Sequence, residues 1–262
     1  GVLTFSPHPD VVLKKKPLQF ITTDEEKKEI LHNLGIDYVW TMPFTRELAR
    51  FTWKKFLDEA FLPRTLCAGF IVGQDFPFGY NAEGNASLLK EYMEGKGIPV
   101  EICAEVQCKG RKVSSTWVRE TLLEGKVDLT RMLLGRPYSI NSTVIKGSGM
   151  GRKLGFPTMN LSPVPGKILP KFGVYVVLSS GKDFRYPGLG YVGTRPTFAS
   201  SHQPVIEIYV DGDVGVRYGE TVHVAFCKFL REDRAFPTEK ELKQQMQKDL
   251  MEMKKYVHSQ SR

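Results

Sequence analysis

From residue 1 to about residue 130, short apolar runs alternate with stretches whose hydrophobic positions recur at helical spacing. VLTF (2–5), IDYVW (36–40), GFIVG (69–73) and IPVEIC (98–103) each predict a buried strand. Between the first two, TTDEEKKEILHNLG (22–35) predicts a helix, with Thr23 and Glu26 as a capping box and Gly35 as the stop. Further helices fit at 52–61, 86–95 and 115–124. Strand–helix alternation of this kind specifies an α/β unit with a parallel, doubly wound sheet and ligands at the carboxyl ends of the strands.

Beyond LLGRPYSI (133–140) the pattern changes. STVIKG (142–147), GVYVVLSS (173–180), YPGLGYVG (186–193), PVIEIYV (204–210) and TVHVAFCKFL (221–230) follow one another without intervening helices. Turns such as SSGKD and VDGDVG separate them, the spacing of an antiparallel barrel. One helix closes the chain, opened by a capping box of Thr238 and Glu241. Its stripe of Leu242, Met246, Leu250, Met253 and Val257 is expected to lie on the barrel. The predicted division is therefore an α/β domain over 1–130 and a β-barrel domain over 135–262, with no internal repeat.

The chain of 262 residues is long enough for two such cores, and 41% hydrophobic with 25% charged residues is ordinary for a globular protein. Its longest apolar runs are too short to cross a bilayer. GVLTFSPHPD lacks the basic start and apolar core of an export signal, so the expected location is cytoplasmic. Cys67, Cys103, Cys108 and Cys227 are scattered, with no Cys-x-x-Cys pair and no histidine beside a cysteine, which predicts reduced thiols rather than a zinc site. The net charge of +8 is spread out, with LKKKP (13–17) the densest run. That distribution favours an anionic small substrate over nucleic acid. None of these patterns encodes an oligomeric state.

The segment GSGMGRKLGFPTMNL (147–161) is the densest in chemistry. Gly147, Gly149 and Gly151 let backbone N–H groups turn toward an anion, and Arg152 and Lys153 add positive charge. Pro157 fixes the chain direction, and the two-residue spacing of Thr158 and Asn160 puts both on one face of an extended strand. A hydroxyl and an amide oxygen suit Mg²⁺ that already carries nucleotide phosphates. A glycine-rich hairpin before a polar strand end is the plainer reading. The segment is neither a Walker loop nor a dinucleotide fingerprint. Elsewhere, KVSST followed by Arg119 presents hydroxyls and a cation at a helix N-terminus, either a phosphate site or an ordinary cap. Glu207 sits among alternating apolar neighbours in VIEIYV, facing either solvent or a shared cavity.

The string GRKLGFPTMN (151–160) resembles the signature of bacterial riboflavin kinases, Gly-(Arg/Lys)-x-Leu-Gly-Phe-Pro-Thr-Ala-Asn. The resemblance continues through LGRPYSI (134–140), FGVYVV (172–177), VGTRPTF (192–198), VIEIYV (205–210) and KFLREDRAF (228–236). In the first half TFSPHP (4–9), PFTREL (43–48), VGQDFPFGYNAEG (72–84) and KVSSTWVRETLLEG (112–125) are similar to the adenylyltransferase module of the same bifunctional riboflavin kinase/FMN adenylyltransferase family. The resemblance implies a nucleotidyltransferase α/β domain joined to a riboflavin-kinase barrel. Riboflavin, FMN and ATP would be its small-molecule partners, FMN and FAD its products, and Mg²⁺ its metal.

Residue by residue, it implies that Thr158 and Asn160 hold Mg²⁺, that the loop 147–153 covers the ATP phosphates and that Glu207 is the base. It further implies that Arg231 and Glu232 grip the flavin, although a solvated strand end fits them too. Phe156 would pack against the substrate or, as plainly, in the core. Ser115, Thr116 and Arg119 would hold ATP phosphates in the first domain. Asp75 and Phe76 would lie on its flavin side, unless Phe76 and Phe78 only anchor a long loop. The chain departs from the pattern at its start: the family's Gly-x-Phe-Asp-Gly-x-His-x-Gly-His stretch, whose histidines hold the ATP phosphates, has no counterpart in it. Either the sequence is missing its beginning, the expectation that Gly at position 1 favours, or the protein lacks the usual adenylylation machinery, and residues 1–262 alone are expected to make FMN but little FAD. A flavin- or nucleotide-binding regulator without catalysis is the alternative, and Thr158, Asn160 and Glu207 argue against it. An RNA-binding barrel would want aromatic and cationic side chains interleaved on one face, where VIEIYV carries an acid.

Overall fold

In the computed structural model, residues 1–14, 18–147, 149–194 and 204–260 are described. Residues 15–17 of the lysine run, Ser148 of the glycine segment and 195–198 of VGTRPTF therefore lie outside the described residues. Among those described, no helix is long and apolar enough to cross a membrane. The chain divides into two compact units, Gly1–Leu18 with Asp24–Val113, and Gln19–Thr23 with Ser114–Arg262.

In the first unit, β1 (Val2–Ser6) pairs in parallel with β2 (Val39–Pro43), and α1 (Pro9–Lys14) and α2 (Asp24–Asn33) lie between them in sequence. Gly35, at φ +83°, stops α2 as expected. The Ile36 N–H is drawn back to the Leu31 carbonyl (3.1 Å), which is why β2 begins at Val39 and not at 36. The expected helix over 52–61 is present as α3 (Trp53–Lys55), opened by the Thr52 hydroxyl accepting from the Lys55 N–H, and continues as a π-helical turn over Phe56–Phe61. β3 (Phe70–Gly73) pairs in parallel with β4 (Val100–Cys103), with α4 (Ala86–Glu94) between them in sequence. A small hairpin of β5 (Gln107–Cys108) and β6 (Arg111–Lys112) ends the unit. The parallel pairing is that of an α/β unit. Among the described residues the two pairs are separate two-stranded sheets. Leu57, Leu89, Met93 and Val100 form a buried core, against which Trp53 and Phe78 pack.

The second unit opens with α5 (Ser115–Leu123) and α6 (Val127–Leu134). It continues through β7 (Tyr138–Ile145), α7 (Met150–Leu154), β8 (Thr158–Leu161) and β9 (Gly173–Ser180). β10 (Arg185–Thr194), β11 (Pro204–Val210), β12 (Thr221–Glu232) and α8 (Glu239–Gln260) complete it. The six longer strands close into an antiparallel barrel in the order β10-β11-β8-β7-β12-β9. Tyr138, Ile140, Val177, Ile208, Val224 and Phe226 are fully buried in it. Outside, α8 buries Met253 against Val174, Val176 and Leu189, with Leu250 and Val257 of the expected stripe beside it. The Thr238 hydroxyl caps α8 by accepting from the Glu241 N–H at 3.2 Å.

By packing, the units divide at Val113/Ser114. The reason is tertiary. Buried Thr121 and Thr130 join α5 to α6 through their hydroxyls at 2.9 Å, α6 lies against β7 and β12, and the Lys171 N–H donates to the Leu122 carbonyl at 2.9 Å. The stretch 131–134, between the two predicted domains, lies within α6, in which Val127, Thr130 and Leu133 are buried.

Candidate active site

Glu207 on β11 stands opposite Asn160 on β8, and Tyr209 stands opposite Thr158. Directly opposed residues of an antiparallel pair project from the same face. The alternating positions Met159, Leu161, Ile206 and Ile208 are buried in the barrel. Thr158, Asn160 and Glu207 therefore share its outer face, which decides the side on which Glu207 lies. Glu207 is half-buried there, its Oε2 at 3.5 Å from the Thr158 Oγ1. Across the next strand Tyr191 stands opposite Glu207, and its hydroxyl donates to Asp233 at 2.8 Å. Burial first, then the hydrogen bond to Asp233 and the charges of Asp233 and Glu207, push the Tyr191 phenol well above its usual range.

The glycine segment closes onto this face. A Cβ at Gly147 would lie 2.0 Å from the Asn160 amide nitrogen. One at Gly151 would lie 2.3 Å from the Phe156 carbonyl oxygen and 3.1 Å from the Thr158 hydroxyl. These glycines are required by close approach as much as by flexibility. The expected loop over 147–153 is in part the short helix α7, which carries Arg152 and Lys153 exposed. Gly149 opens that helix at φ +76°.

Two cavities are lined in part by β8 and β11, neither of them by Asn160 or Glu207. One of about 280 Å³ is bounded by Thr158, Met159, Ile208 and Arg152. The other, of about 730 Å³, is bounded by Leu161, Ile206, Lys171, Glu232 and Asp233, and by Gln19.

The remaining expected residues are placed less centrally. Arg231 is held by α8: its Nε and Nη2 donate to the Asp249 carboxylate at 3.0 and 2.9 Å, and its Nη1 to the Glu232 carbonyl at 3.1 Å. Glu232 lines the large cavity and pairs with Lys171 at 2.6 Å, which holds its carboxyl below the usual range. Phe156 is buried edge-on against Tyr209, ring centroids 5.5 Å apart, and lines neither cavity.

Ser115 and Thr116 are exposed in the first turn of α5, where the Ser114 hydroxyl caps the Trp117 N–H at 3.2 Å. Arg119 donates from Nε to the Gln19 carbonyl at 2.8 Å. These three belong to the second unit by packing, whereas Asp75 and Phe76 belong to the first. Asp75 is paired with Lys112, which also holds Glu105 at 2.6 Å, and the Lys112 contact keeps the Asp75 carboxyl low. Phe76 stacks on Phe78 at 5.2 Å and stays 38% exposed. Sequence reasoning missed Tyr191, because strand register leaves no mark in a one-dimensional pattern.

A family model for riboflavin kinase matches residues 134–257, and one for FAD synthetase matches residues 1–117. The bifunctional riboflavin kinase/FMN adenylyltransferase of Listeria monocytogenes is 32% identical over 251 residues, 95% of this chain and 79% of that protein. Its counterpart of the same description in Bacillus subtilis is 33% identical over 262 residues, 98% of this chain and 82% of that one. A crystal structure from Streptococcus pneumoniae, described as a macrolide-efflux protein, is similar with a TM-score of 0.86 at 27% identity, covering 97% of this chain and 82% of that chain. An α/β unit followed by a closed barrel, each matching one enzyme of flavin synthesis, defines the class. The chain belongs to the bifunctional riboflavin kinase/FMN adenylyltransferase family.

Proposed function

We propose that the second unit transfers the γ-phosphoryl group of ATP to the 5′-hydroxyl of riboflavin, giving FMN and ADP. The first unit, on this reading, serves the adenylylation of FMN to FAD that the family's name describes. The observation that carries the kinase reading is the meeting of Thr158, Asn160 and Glu207 on one outer face, with Thr158 reaching the smaller cavity. Phosphoryl transfer needs a donor, an acceptor and a base at their junction, and little covalent chemistry from the protein.

The smaller cavity, with Arg152 at its edge, takes the phosphate end of ATP. The larger takes riboflavin, whose flat apolar ring and polar side chain suit a mostly apolar cavity of this size. A threonine hydroxyl and an asparagine amide oxygen are hard donors that fit Mg²⁺, and the glycine backbone pressed against them leaves their immediate surroundings narrow. Thr158 and Asn160 would hold the metal, which when bound neutralises charge on the β- and γ-phosphates. Glu207 accepts the proton of the 5′-hydroxyl as that oxygen bonds to the γ-phosphorus, and the electrons of the broken P–O bond leave with ADP. For adenylylation, Ser115, Thr116 and Arg119 grip ATP phosphates at the positive end of α5. The reactions are placed in the cytoplasm.

The test is a time course of the 262-residue chain with riboflavin, excess ATP and Mg²⁺, followed by chromatography. FMN is expected, and chelation of Mg²⁺ is expected to stop its formation. A chain that folds and binds ATP but makes no FMN would overturn the kinase reading.

A further inference from the structure

Residues Gln19–Thr23 lie in sequence within the first half, yet they pack with the second unit. The attachment is specific. The Phe20 N–H donates to the Gly166 carbonyl at 2.6 Å and the Ile168 N–H to the Phe20 carbonyl at 2.9 Å, so that Phe20 bridges Lys167 in parallel. The segment it meets is a tight turn in which the Lys167 N–H donates to the Val164 carbonyl at 3.1 Å, with Pro165 and Gly166 (φ +72°) at its two central positions.

Two cations fasten the same five residues. The Lys167 ammonium donates to the Ile21 carbonyl at 2.9 Å, and Arg119 Nε to the Gln19 carbonyl at 2.8 Å. Lys167 is only 6% exposed, and its head also lies over the Tyr138 ring, 5.0 Å from the centroid. Buried lysines are uncommon and expensive unless their charge is answered. One group that answers it here is a backbone carbonyl more than a hundred residues away in sequence. Gln19, Gly166 and Lys167 all line the 730 Å³ cavity. A strap held at Gln19, Phe20 and Ile21, whose first residue lines a cavity, contributes to the wall of that cavity.

We infer that Gln19–Thr23 forms one wall of the flavin cavity and sets the affinity for riboflavin, with Lys167 as the positioning residue that holds the wall in place. This rests on the reading of the large cavity as the riboflavin site. It also bears on how the enzyme divides: the acceptor site of the kinase includes residues that precede α2, so a fragment cut at residue 135 lacks part of its own substrate pocket.

The experiment uses the full chain and titrates riboflavin by quenching of its fluorescence, with FMN formation measured in parallel. Lys167→Met removes the bond to Ile21 while keeping a long apolar stem, and is expected to raise the riboflavin Kd about three- to tenfold. The KM for ATP and the turnover at saturating riboflavin should stay as in the wild type, and Lys167→Arg should recover most of the affinity. Gln19→Trp narrows the cavity from an exposed position that the core does not need, and should raise the same Kd even if Lys167→Met proves too unstable to measure. Wild-type affinity in both Gln19→Trp and a folded Lys167→Met would overturn the inference and leave the kinase reading standing. Loss of riboflavin binding and of FMN formation in the wild-type chain would overturn the reading of the cavity, and this inference with it.

Discussion

The chain uses glycine in the same way at two places and to opposite ends. In the second unit Gly147 and Gly151 bring backbone against Asn160 and Thr158, so the close approach frames polar donors beside Glu207. In the first unit Gly79 and Gly84 do the same against Trp53, where a Cβ would fall 2.6 and 2.7 Å from its atoms. There the close approach frames an aromatic cluster, in which Trp53 and Phe78 meet edge-on at 6.3 Å and Trp53 and Tyr92 at 5.2 Å. Both segments read alike in the sequence, as glycines interleaved with phenylalanine and proline. What a glycine does is set by what lies where its side chain would be.

The contrast can be broken most directly at the base. Glu207→Gln should lower FMN formation by ~10²–10⁴-fold while ATP still binds. Near-normal turnover would remove Glu207 from the mechanism and with it the polar character claimed for that face. Next in size, Gly147→Ala or Gly151→Ala should cost about 10²-fold in turnover, because displacing Asn160 or Thr158 by even an ångström misplaces the phosphates. Gly79→Ala should instead destabilise the first unit by about 1–3 kcal/mol, seen in thermal unfolding, with riboflavin phosphorylation unchanged. If the two kinds of glycine variant gave the same profile, the distinction would fail.

Smaller effects sharpen the picture. Tyr191→Phe loses the hydrogen bond to Asp233 and should weaken riboflavin by a few-fold, roughly 1 kcal/mol or less, with ATP affinity unaltered. A change in ATP affinity of the same size would show that Tyr191 serves the other cavity. The smallest concerns Asp75, whose carboxyl the Lys112 contact keeps below its ordinary value. A depressed carboxylate contributes stability that is present above its unfolded pKa and is lost as pH falls through the folded one. The difference in melting temperature between wild type and Asp75→Asn should therefore be present at neutral pH and shrink as pH falls below about 4. A difference that grew in acid would mean that Asp75 is held by something other than Lys112.

Much of the barrel was legible because its strands announce themselves. The run over 173–180 and the run over 204–210 are bounded by turns and coincide with β9 and β11. The short helices were not legible. α1 and α6 span six and eight residues, too few turns for helical spacing to stand out, and α6 coincides with the place where the pattern changes. For the site, the spacing of Thr158 and Asn160 correctly put them on one face. The alternation around Glu207 fixed only that it opposes Ile206 and Ile208, and closure of the barrel decided which side faces in. The unit boundary, the strap of Gln19–Thr23 and the capture of Arg231 by Asp249 are products of packing between residues far apart in sequence, for which no local pattern exists.

That capture carries a consequence for how the barrel comes apart. Asp249 is 5% exposed, on the inner side of α8, and Gln245 one turn earlier also donates to it at 2.8 Å. Peeling the helix away would strand a desolvated carboxylate from its guanidinium, so the turns around 245–253 are pinned. Amide protons near Met253 would then exchange with solvent on the timescale of the strands beneath them. In that sense α8 carries a rivet at its centre.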